Sequence, residues 1–383
     1  MMIKRIKVNN FKTLKLAELE LKNLNLFAGM NGMGKSSLLQ VLMLLRQSHE
    51  QNLLQNDELG LNGSLVNIGL SSDAYAQFGD EETVYFEIET FDGQKAQWTF
   101  SAAKALGSRN LYEDEDVLTC ISSTVSPDFF DFSLFKEGFQ YLSAERVSPQ
   151  SSFETSTYEV IKRKQLGNHG EFAIHYLALN KDAPLLIPEL KHQTVRGDTL
   201  LENVEAWLTE ISPGISMKTQ FYPDMDKVRL AFQYDAGRQI ITNEFRPTNV
   251  GFGITYILSV IVAILSAKKG DILLVENPEA HLHPRGQSRI GHLMALAAGQ
   301  GVQLFIETHS DHVLNGIRVA AKKDSEHHVI DADNVSIFFF HREEGQEDHA
   351  TSIFTPKLDD NGKIDKWLEG FFDEWNRLLC ELL

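Results

Sequence analysis

The residues with the clearest chemical meaning form a glycine-rich run near the amino terminus, Gly29-Met30-Asn31-Gly32-Met33-Gly34-Lys35-Ser36-Ser37. Apolar stretches precede and follow this run, so it is predicted to join a buried strand to a helix. Its spacing fits G-x-x-x-x-G-K-[ST], in which glycines let backbone N–H groups turn toward a polyphosphate. The first turn of the helix offers further N–H donors to the same anion. The run therefore predicts binding of a nucleoside triphosphate.

The candidate nucleotide-binding residues in this run are Asn31, Gly32, Met33, Gly34, Lys35, Ser36 and Ser37. We expect Lys35 to reach the β- and γ-phosphates and the Ser36 hydroxyl to hold Mg²⁺. A glycine-rich loop can match the motif by chance, but the strand–loop–helix context favours a true phosphate loop.

Two apolar strands in the last third of the chain end in residues that could complete such a site. The first runs into Glu276-Asn277-Pro278-Glu279, and ATPases with a phosphate loop place a carboxylate of this kind beside Mg²⁺. Glu276 is therefore a predicted metal ligand, and an acidic strand end without this role is the alternative. The second strand runs into His309, which could contact a γ-phosphate or could be purely structural.

Two further stretches could contact a ligand. Gly251 and Gly253 stand at the predicted start of a helix, where they form either a second anion site or a simple turn. His281 and His283 have the His-x-His spacing of a metal site, but no further ligands are spaced to match. We therefore predict no zinc there.

The composition of the 383-residue chain argues against some classes of protein and indicates a cellular location. Its net charge of −17 argues against a protein that coats nucleic acid, while a local basic groove is still compatible. Cys120 and Cys380 have no metal or redox spacing, and no secretory signal is visible, so we predict a cytoplasmic protein. The longest apolar run, residues 254–267, is too short to span a membrane and predicts a buried helix.

The hydrophobic pattern predicts the elements that would position these residues. Strands are predicted at residues 3–8, 14–21, 24–28, 83–90, 97–101, 139–143, 227–234, 239–245, 271–275, 302–307 and 335–341. Helices are predicted at residues 35–49, 171–179, 199–211, 254–267, 283–298 and 312–322. Strands alternate with helices after residue 245, which predicts a parallel sheet covered on both faces.

The remaining segments are predicted to be turns and loops. Asp92-Gly93 and Asp235-Ala236-Gly237 are predicted hairpin turns, and residues 50–64 and 148–156 are predicted to be irregular.

The order of the motifs resembles the ATP-binding cassette (ABC) heads of the SMC and RecF-like ATPases. Residues 3–12, followed by the phosphate loop, are similar to that group in particular. Residues 276–284 and 307–311 look like the overcoming-lysogenization-defect (OLD) and related stand-alone ATPases, and residues 360–374 are similar to a poorly characterised bacterial subfamily. The similarity covers about residues 1–50 and 245–375. In the middle only the run Tyr141-Leu142-Ser143-Ala144-Glu145-Arg146 can be matched.

The resemblance implies an α/β fold, a P-loop NTPase of the ABC-ATPase head type. It would have a mixed sheet with an N-terminal β subdomain and a partly helical inserted segment. The implied segments are residues 1–105 with the phosphate loop, an insertion of unknown role at 106–245, the rest of the ATPase lobe at 246–345, and a family-specific tail at 346–383.

The resemblance also implies roles and partners. ATP and Mg²⁺ are the implied cofactors, Glu276 falls on the Walker B acid, and His309 falls on the switch histidine. Gly251 and Gly253 fall near the signature motif, which in this group reaches the γ-phosphate of the opposite subunit, and residues 281–283 fall on a segment that crosses the dimer interface. ATP would thus join two heads into a homodimer or a higher oligomer.

Two departures from the group affect the implied catalysis. Residues 250–253 read Val-Gly-Phe-Gly in place of the usual Leu-Ser-Gly-Gly-Gln. Asn277 stands where the group usually places the glutamate that activates water, and an amide can orient water but cannot accept its proton. Glu279 is a candidate substitute, and slow turnover is the alternative. The candidate catalytic residues are Glu276, Asn277, Glu279 and His309.

The leading functional hypothesis is an ATP-dependent dimeric switch, resembling the ATPase subunits of bacterial anti-phage systems that act with a separately encoded nuclease or toxin. One alternative is a self-contained OLD-type nuclease, although too few residues follow Asp331 and Asp333 to form its metal-binding domain. Another is a RecF-like DNA-repair ATPase, for which DNA would be a partner. No sustained heptad pattern supports a long-armed SMC protein, and no membrane partner is expected.

Overall fold

The computed structural model describes residues 1–103, 115–235, 241–343, 350–368, 370–372 and 374–382. The chain divides into two compact units. The first comprises Met1–Lys136, Val335–Leu358 and Ile364–Leu383, and the second comprises Glu137–Asn334 and Asp359–Lys363. These units do not follow the predicted segment boundaries at residues 105, 245 and 345, and the assignment of functional segments stays a prediction.

The strands of the described residues are, in chain order, β1 (Ile3–Phe11), β2 (Leu14–Glu20), β3 (Leu24–Gly29), β4 (Glu58–Gly60), β5 (Thr83–Thr90), β6 (Lys95–Ser101), β7 (Val117–Val125), β8 (Phe139–Leu142), β9 (Ser152–Glu154), β10 (Ile215–Tyr222), β11 (Lys227–Tyr234), β12 (Ile272–Glu276), β13 (Gln303–Glu307), β14 (Val335–His341) and β15 (Ser352–Phe354). The α-helices are α1 (Lys35–Glu50), α2 (Ser71–Ala74), α3 (Ala173–Asn180), α4 (Leu200–Ile211), α5 (Phe252–Leu265), α6 (Pro284–Gly299), α7 (Asp311–Ala321) and α8 (Glu374–Leu382).

The first unit contains an antiparallel sheet in the order β2-β1-β5-β6-β7-β4. Apolar and charged side chains alternate along β1, so Ile6 is buried while Arg5 pairs with Glu18 and Glu89 on the other face. In the same unit β14 pairs in parallel with β3 and antiparallel with β15. The phosphate loop follows the end of β3, whose first five residues are buried.

The second unit is built around β12, which pairs in parallel with β8 on one side and β13 on the other. The apolar residues of β12 are all buried, as expected of a parallel strand covered on both faces. Helix α5 is buried from Gly253 to Leu265, which confirms the predicted buried helix. A separate antiparallel sheet has the order β10-β11-β9. Across the described parts of the chain, no helix is long and apolar enough to cross a membrane.

Most of the predicted elements are confirmed, with ends shifted by a few residues at most. The hairpin at Asp92-Gly93 is also confirmed, because β5 and β6 pair and the Gly93 N–H bonds to the Thr90 carbonyl.

The predicted hairpin of residues 227–234 and 239–245 is confirmed in part. Antiparallel bridges join Phe232 to Phe245 and Asp235 to Ile241, but residues 241–245 form no regular strand, and β11 pairs along its length with β10 and β9. Ala236 and Gly237 of the predicted turn lie outside the described residues.

Five strands were not predicted, namely β4, β7, β9, β10 and β15, and β4 and β9 lie in segments that were predicted to be irregular. They are short or carry mixed polar residues, and their pairing depends on tertiary partners rather than on local pattern.

Candidate active site

The phosphate loop joins β3 to α1, as predicted. Gly29 is the last residue of β3 and pairs with Phe340 of β14. Its φ is +139°, and a Cβ there would lie 2.2 Å from the Phe340 carbonyl oxygen, so only glycine fits. Gly34 caps α1 with a φ of +83° and faces the Thr13 hydroxyl. The strand end and the helix start therefore both depend on glycines of the motif.

Lys35 is held inside the curve of this loop. Its Nζ donates to the carbonyl oxygens of Gly29 and Met30, both at 2.9 Å, and the side chain is buried. The ammonium is thereby fixed where the motif places an anion. Ser36 and the adjoining Met33 and Gly34 are half-buried, Ser37 is buried, and Asn31 and Gly32 are exposed.

A cavity of about 320 Å³ lies beside the loop in the same unit. Its lining includes Lys12, Lys15, Asp73, Tyr75 and Arg342. Arg342 donates to the Gly32 carbonyl oxygen at 3.4 Å, which connects the cavity to the loop.

Lys12 of this cavity donates to Gln40 Oε1 at 3.0 Å, and burial lowers its pKa. Sequence analysis gave Lys12 and Arg342 no individual role. Isolated basic residues carry little signal until the fold places them together. Lys15 is paired with Asp80 at 2.9 Å, so the three cations of the cavity face two carboxylates, Asp73 and Asp80. The remaining excess of positive charge suits an anionic ligand.

Glu276 ends β12, and its register partner in β13 is Glu307. Both carboxylate oxygens are oriented by the segment that follows β8. The Tyr141 hydroxyl donates to Oε1 at 3.1 Å, and the Ala144 N–H donates to Oε2 at 3.0 Å. Burial raises the pKa of Tyr141, which therefore remains a donor at neutral pH. The Glu276 carboxylate is thus held in one orientation.

Arg146 supports the same strand end through its backbone. Its guanidinium is almost fully buried, donates to the carbonyl oxygen of Glu276, and donates to that of Asn277 at 3.2 Å. It also lies 5.1 Å from the centroid of the Tyr256 ring. Burial lowers the pKa of Arg146 to about 10, so it stays charged at neutral pH. Sequence analysis matched the run containing Arg146 but assigned it no role.

The structure brings the four candidate catalytic residues together in the second unit. The Asn277 N–H donates to the Glu307 carbonyl oxygen at 2.8 Å, and its backbone has a φ of +43°. Glu279 Oε1 accepts from the His309 N–H at 2.8 Å, which joins the turn after β12 to the turn after β13. Burial raises the pKa of Glu279, making its carboxylate a stronger base. His309 itself is exposed just before α7.

Among the residues that the structure describes, none donates a hydrogen bond to two buried oxygens at this turn. They are Asn277 Oδ1 and Glu279 Oε2. Buried polar atoms without partners are rare and concentrate at sites that bind or react. These two belong to the residues predicted to handle the attacking water.

The predicted signature glycines and the His281 segment contact each other. A Cβ on Gly253 would lie 2.4 Å from the His281 carbonyl oxygen, whereas the space around Gly251 is open. The His281 ring packs 4.7 Å from Phe252 and 5.1 Å from Tyr256 between ring centroids. His283 caps α6 by accepting from the Arg285 N–H at 3.3 Å, which gives it a structural role.

A family model described as "AAA domain, putative AbiEii toxin, Type IV TA system" matches residues 24–315, the larger part of the chain. The chain belongs to this AAA-domain family. A second family model, "Protein of unknown function (DUF3696)", matches residues 330–382. No curated protein matches the sequence significantly.

A solved structure of an SMC head shares the fold of this AAA-domain protein. A crystal structure of "the SmcHead bound to the C-winged helix domain of ScpA" aligns with a TM-score of 0.54 and 13% identity, covering 94% of this chain and 98% of that one. The Smc head domain of Pyrococcus furiosus aligns with a TM-score of 0.49 and 12% identity, covering 100% and 99%, which is too low a score to support a fold assignment. The first likeness confirms the predicted fold. With the family match, it identifies a P-loop ATPase.

Proposed function

We propose that this ATPase is a nucleotide-dependent switch that binds ATP with Mg²⁺, hydrolyses it slowly, and joins two copies of the chain while ATP is bound. The observation that carries the proposal is the phosphate loop itself. Lys35 is fixed inside it, and a side chain at Gly29 would strike the backbone of β14. A loop shaped in this way supports phosphate binding through backbone N–H groups and one ammonium.

The residues present fit the proposed ligands. The loop glycines leave room for phosphate oxygens, and the neighbouring cavity adds Lys12, Lys15 and Arg342 for a polyanion. Mg²⁺ is usually held by one or two protein oxygens together with substrate phosphates. We propose the Ser36 hydroxyl and the Glu276 carboxylate for this role.

We assign hydrolysis to the turn after β12 and to His309. Asn277 would orient water through Oδ1, which accepts no hydrogen bond from the described part of the chain. Glu279 would accept the proton, because burial raises its pKa toward the range of an effective general base. Glu279 Oε1 accepts a hydrogen bond from the His309 backbone N–H, so the proposed base and the proposed switch histidine would move together. Slow turnover follows if Asn277 replaces a carboxylate at the usual position of the base.

We further propose that ATP joins two copies through Gly251 and the His281 segment, and that the dimer controls a separately encoded effector in the cytoplasm. Phe252 is exposed beside these residues, which leaves an apolar side chain at the proposed interface. The toxin-system wording of the family description supports an effector that is a toxin or nuclease. The family match and the resemblance of residues 276–284 and 307–311 to OLD-type ATPases support the proposed role in anti-phage defence.

The proposed function is tested by measuring phosphate release and equilibrium ATP binding. Both are measured for the wild-type chain and for Lys35→Ala. We expect Lys35→Ala to abolish both, because the loop loses its only ammonium. Lys181→Ala, which removes an exposed lysine, is the matched control and should behave as wild type. Hydrolysis that survives in Lys35→Ala would show that the phosphate loop is not the nucleotide site. Rapid DNA cleavage by the isolated chain with Mg²⁺ or Mn²⁺ would favour the nuclease alternative instead.

A further inference from the structure

We propose that Arg146 is a positioning residue for hydrolysis, which fixes the turn after β12 so that Glu276 and Asn277 keep their reactive orientation. The inference rests on the proposed function of this turn. Arg146 would touch neither ATP nor water, and would act through the two peptide carbonyls that it holds.

The pattern of its hydrogen bonds separates Arg146 from an ordinary buried arginine. Its two terminal nitrogens donate to the carbonyl oxygens of Glu276 and Asn277, which are consecutive residues at the strand end. Its Nε is buried and has no hydrogen-bond partner in the described ranges of the chain. A buried cation is costly to desolvate, and pairing with a carboxylate is the usual compensation. Here the charge is directed at the backbone of the two residues that carry the chemistry.

The same segment also orients the Glu276 side chain. Tyr141 and the Ala144 N–H hold its two carboxylate oxygens, while Arg146 holds its carbonyl oxygen. Residues 141–146 therefore fix both the side chain and the backbone carbonyl of Glu276. A rotation of its backbone would have to break contacts on both sides, so the carboxylate has little freedom to turn away from a bound metal.

Tyr256 anchors Arg146 to helix α5. The Tyr256 hydroxyl donates to the Ala144 carbonyl oxygen at 2.6 Å and accepts from the Arg146 N–H at 3.0 Å, while its ring lies against the guanidinium. The His281 ring packs edge-to-face against the ring of the same tyrosine, with the ring centroids 5.1 Å apart. Tyr256 thus connects the start of α5, where Gly251 and Gly253 lie, to the acidic turn. A shift of that helix start would reach Glu276 through Arg146.

The test separates positioning from binding and from folding. Arg146→Met removes the two donors but keeps an apolar chain in the buried space, Arg146→Lys retains one cation, and Tyr256→Phe removes the hydroxyl but keeps the ring. Arg229→Met, which changes a partly exposed side chain on β11 of the same unit, is the control. Each variant is assayed for thermal unfolding, for ATP affinity with Mg²⁺, and for the turnover number.

We expect Arg146→Met to lower kcat by about a hundredfold, as small displacements of reacting groups do, while ATP affinity changes by less than about threefold. Arg146→Lys should recover part of the loss, and Tyr256→Phe should lower kcat by about tenfold with normal affinity and folding. A purely structural arginine would instead reduce affinity and kcat together, in step with the folded fraction. That result, or wild-type kcat in both folded Arg146→Lys and Tyr256→Phe, overturns the positioning role. The proposed function is judged separately by Lys35→Ala, which must abolish ATP binding itself.

Discussion

Replacing Gly253 with alanine tests whether this glycine serves packing or phosphate binding. Gly253 lies in the first turn of α5, and an added Cβ would lie 2.4 Å from the His281 carbonyl oxygen. Ordinary contacts begin at 3.4 Å, so the helix start and the His281 turn must separate by about 1 Å. His281 is itself constrained, because its φ is +63° and its ring packs against Phe252 and Tyr256.

This separation should be costly because backbone opposes the new methyl group. Overpacking of a tight site typically costs about 1–3 kcal/mol, and we expect Gly253→Ala to fall at the upper end, near 3 kcal/mol. Gly251→Ala is a matched comparison, since a Cβ there would contact only the tip of Ile254, at 3.9 Å. It should leave stability unchanged within about 0.5 kcal/mol or raise it slightly, because Gly251 has a φ of −55° that alanine adopts freely.

Thermal unfolding by circular dichroism measures the difference between these variants at equal protein concentration. For a unit of this size, we expect the midpoint of Gly253→Ala to drop by roughly 5–10 °C and that of Gly251→Ala to stay near wild type. Equal midpoints for the two variants would refute the close contact of α5 with the His281 turn. If both variants are stable and both lose ATP binding, the glycines act on the ligand rather than on packing.

Two other predictions concern single titratable residues. Glu279→Gln should lower the ATP turnover number by about a hundredfold or more with normal ATP affinity, because glutamine can still accept the His309 N–H bond but cannot take a proton from water. Unchanged phosphate release would place the base elsewhere. Burial lowers the pKa of His292 to about 4, below the unfolded value of 6.5, so the unfolded chain binds this proton more tightly and stability is lost as the pH falls from about 6.5 to about 4. His292→Gln should therefore reduce the loss of unfolding free energy over this pH range by up to about 3 kcal/mol. The measurement compares the denaturation midpoints of wild type and variant at each pH. Parallel pH profiles of the two proteins would contradict the buried neutral state of His292.

The phosphate loop and the acidic strand end could be predicted because each depends on local chemistry. The spacing of glycines, Lys35 and Ser36 has few other uses, and β12 is a continuous apolar run that ends in acids. The same holds for α5, whose apolar residues leave no polar face to expose to water.

The support of the acidic turn could not be predicted, because it depends on contacts between distant residues. Arg146 and Glu276 are 130 positions apart, and the parallel pairing of β8 with β12, together with the contacts of Tyr256, brings them close. The packing role of Gly253 could not be predicted either, since a glycine at a helix start has the same sequence signature whether it faces a ligand or a neighbouring carbonyl. The contact of Glu279 with the His309 backbone depends in turn on the pairing of β12 with β13.

The molecular mass of the Glu279→Gln variant with and without ATP and Mg²⁺ tests the central claim most directly. This variant should bind ATP and retain it, so the ATP-bound state accumulates. Sedimentation equilibrium should give the 43.2 kDa mass of one chain without nucleotide and twice that mass with ATP, and Lys35→Ala should stay at the smaller mass in both conditions. A mass that does not depend on ATP, in a variant shown to bind it, would contradict a switch in which ATP joins two heads.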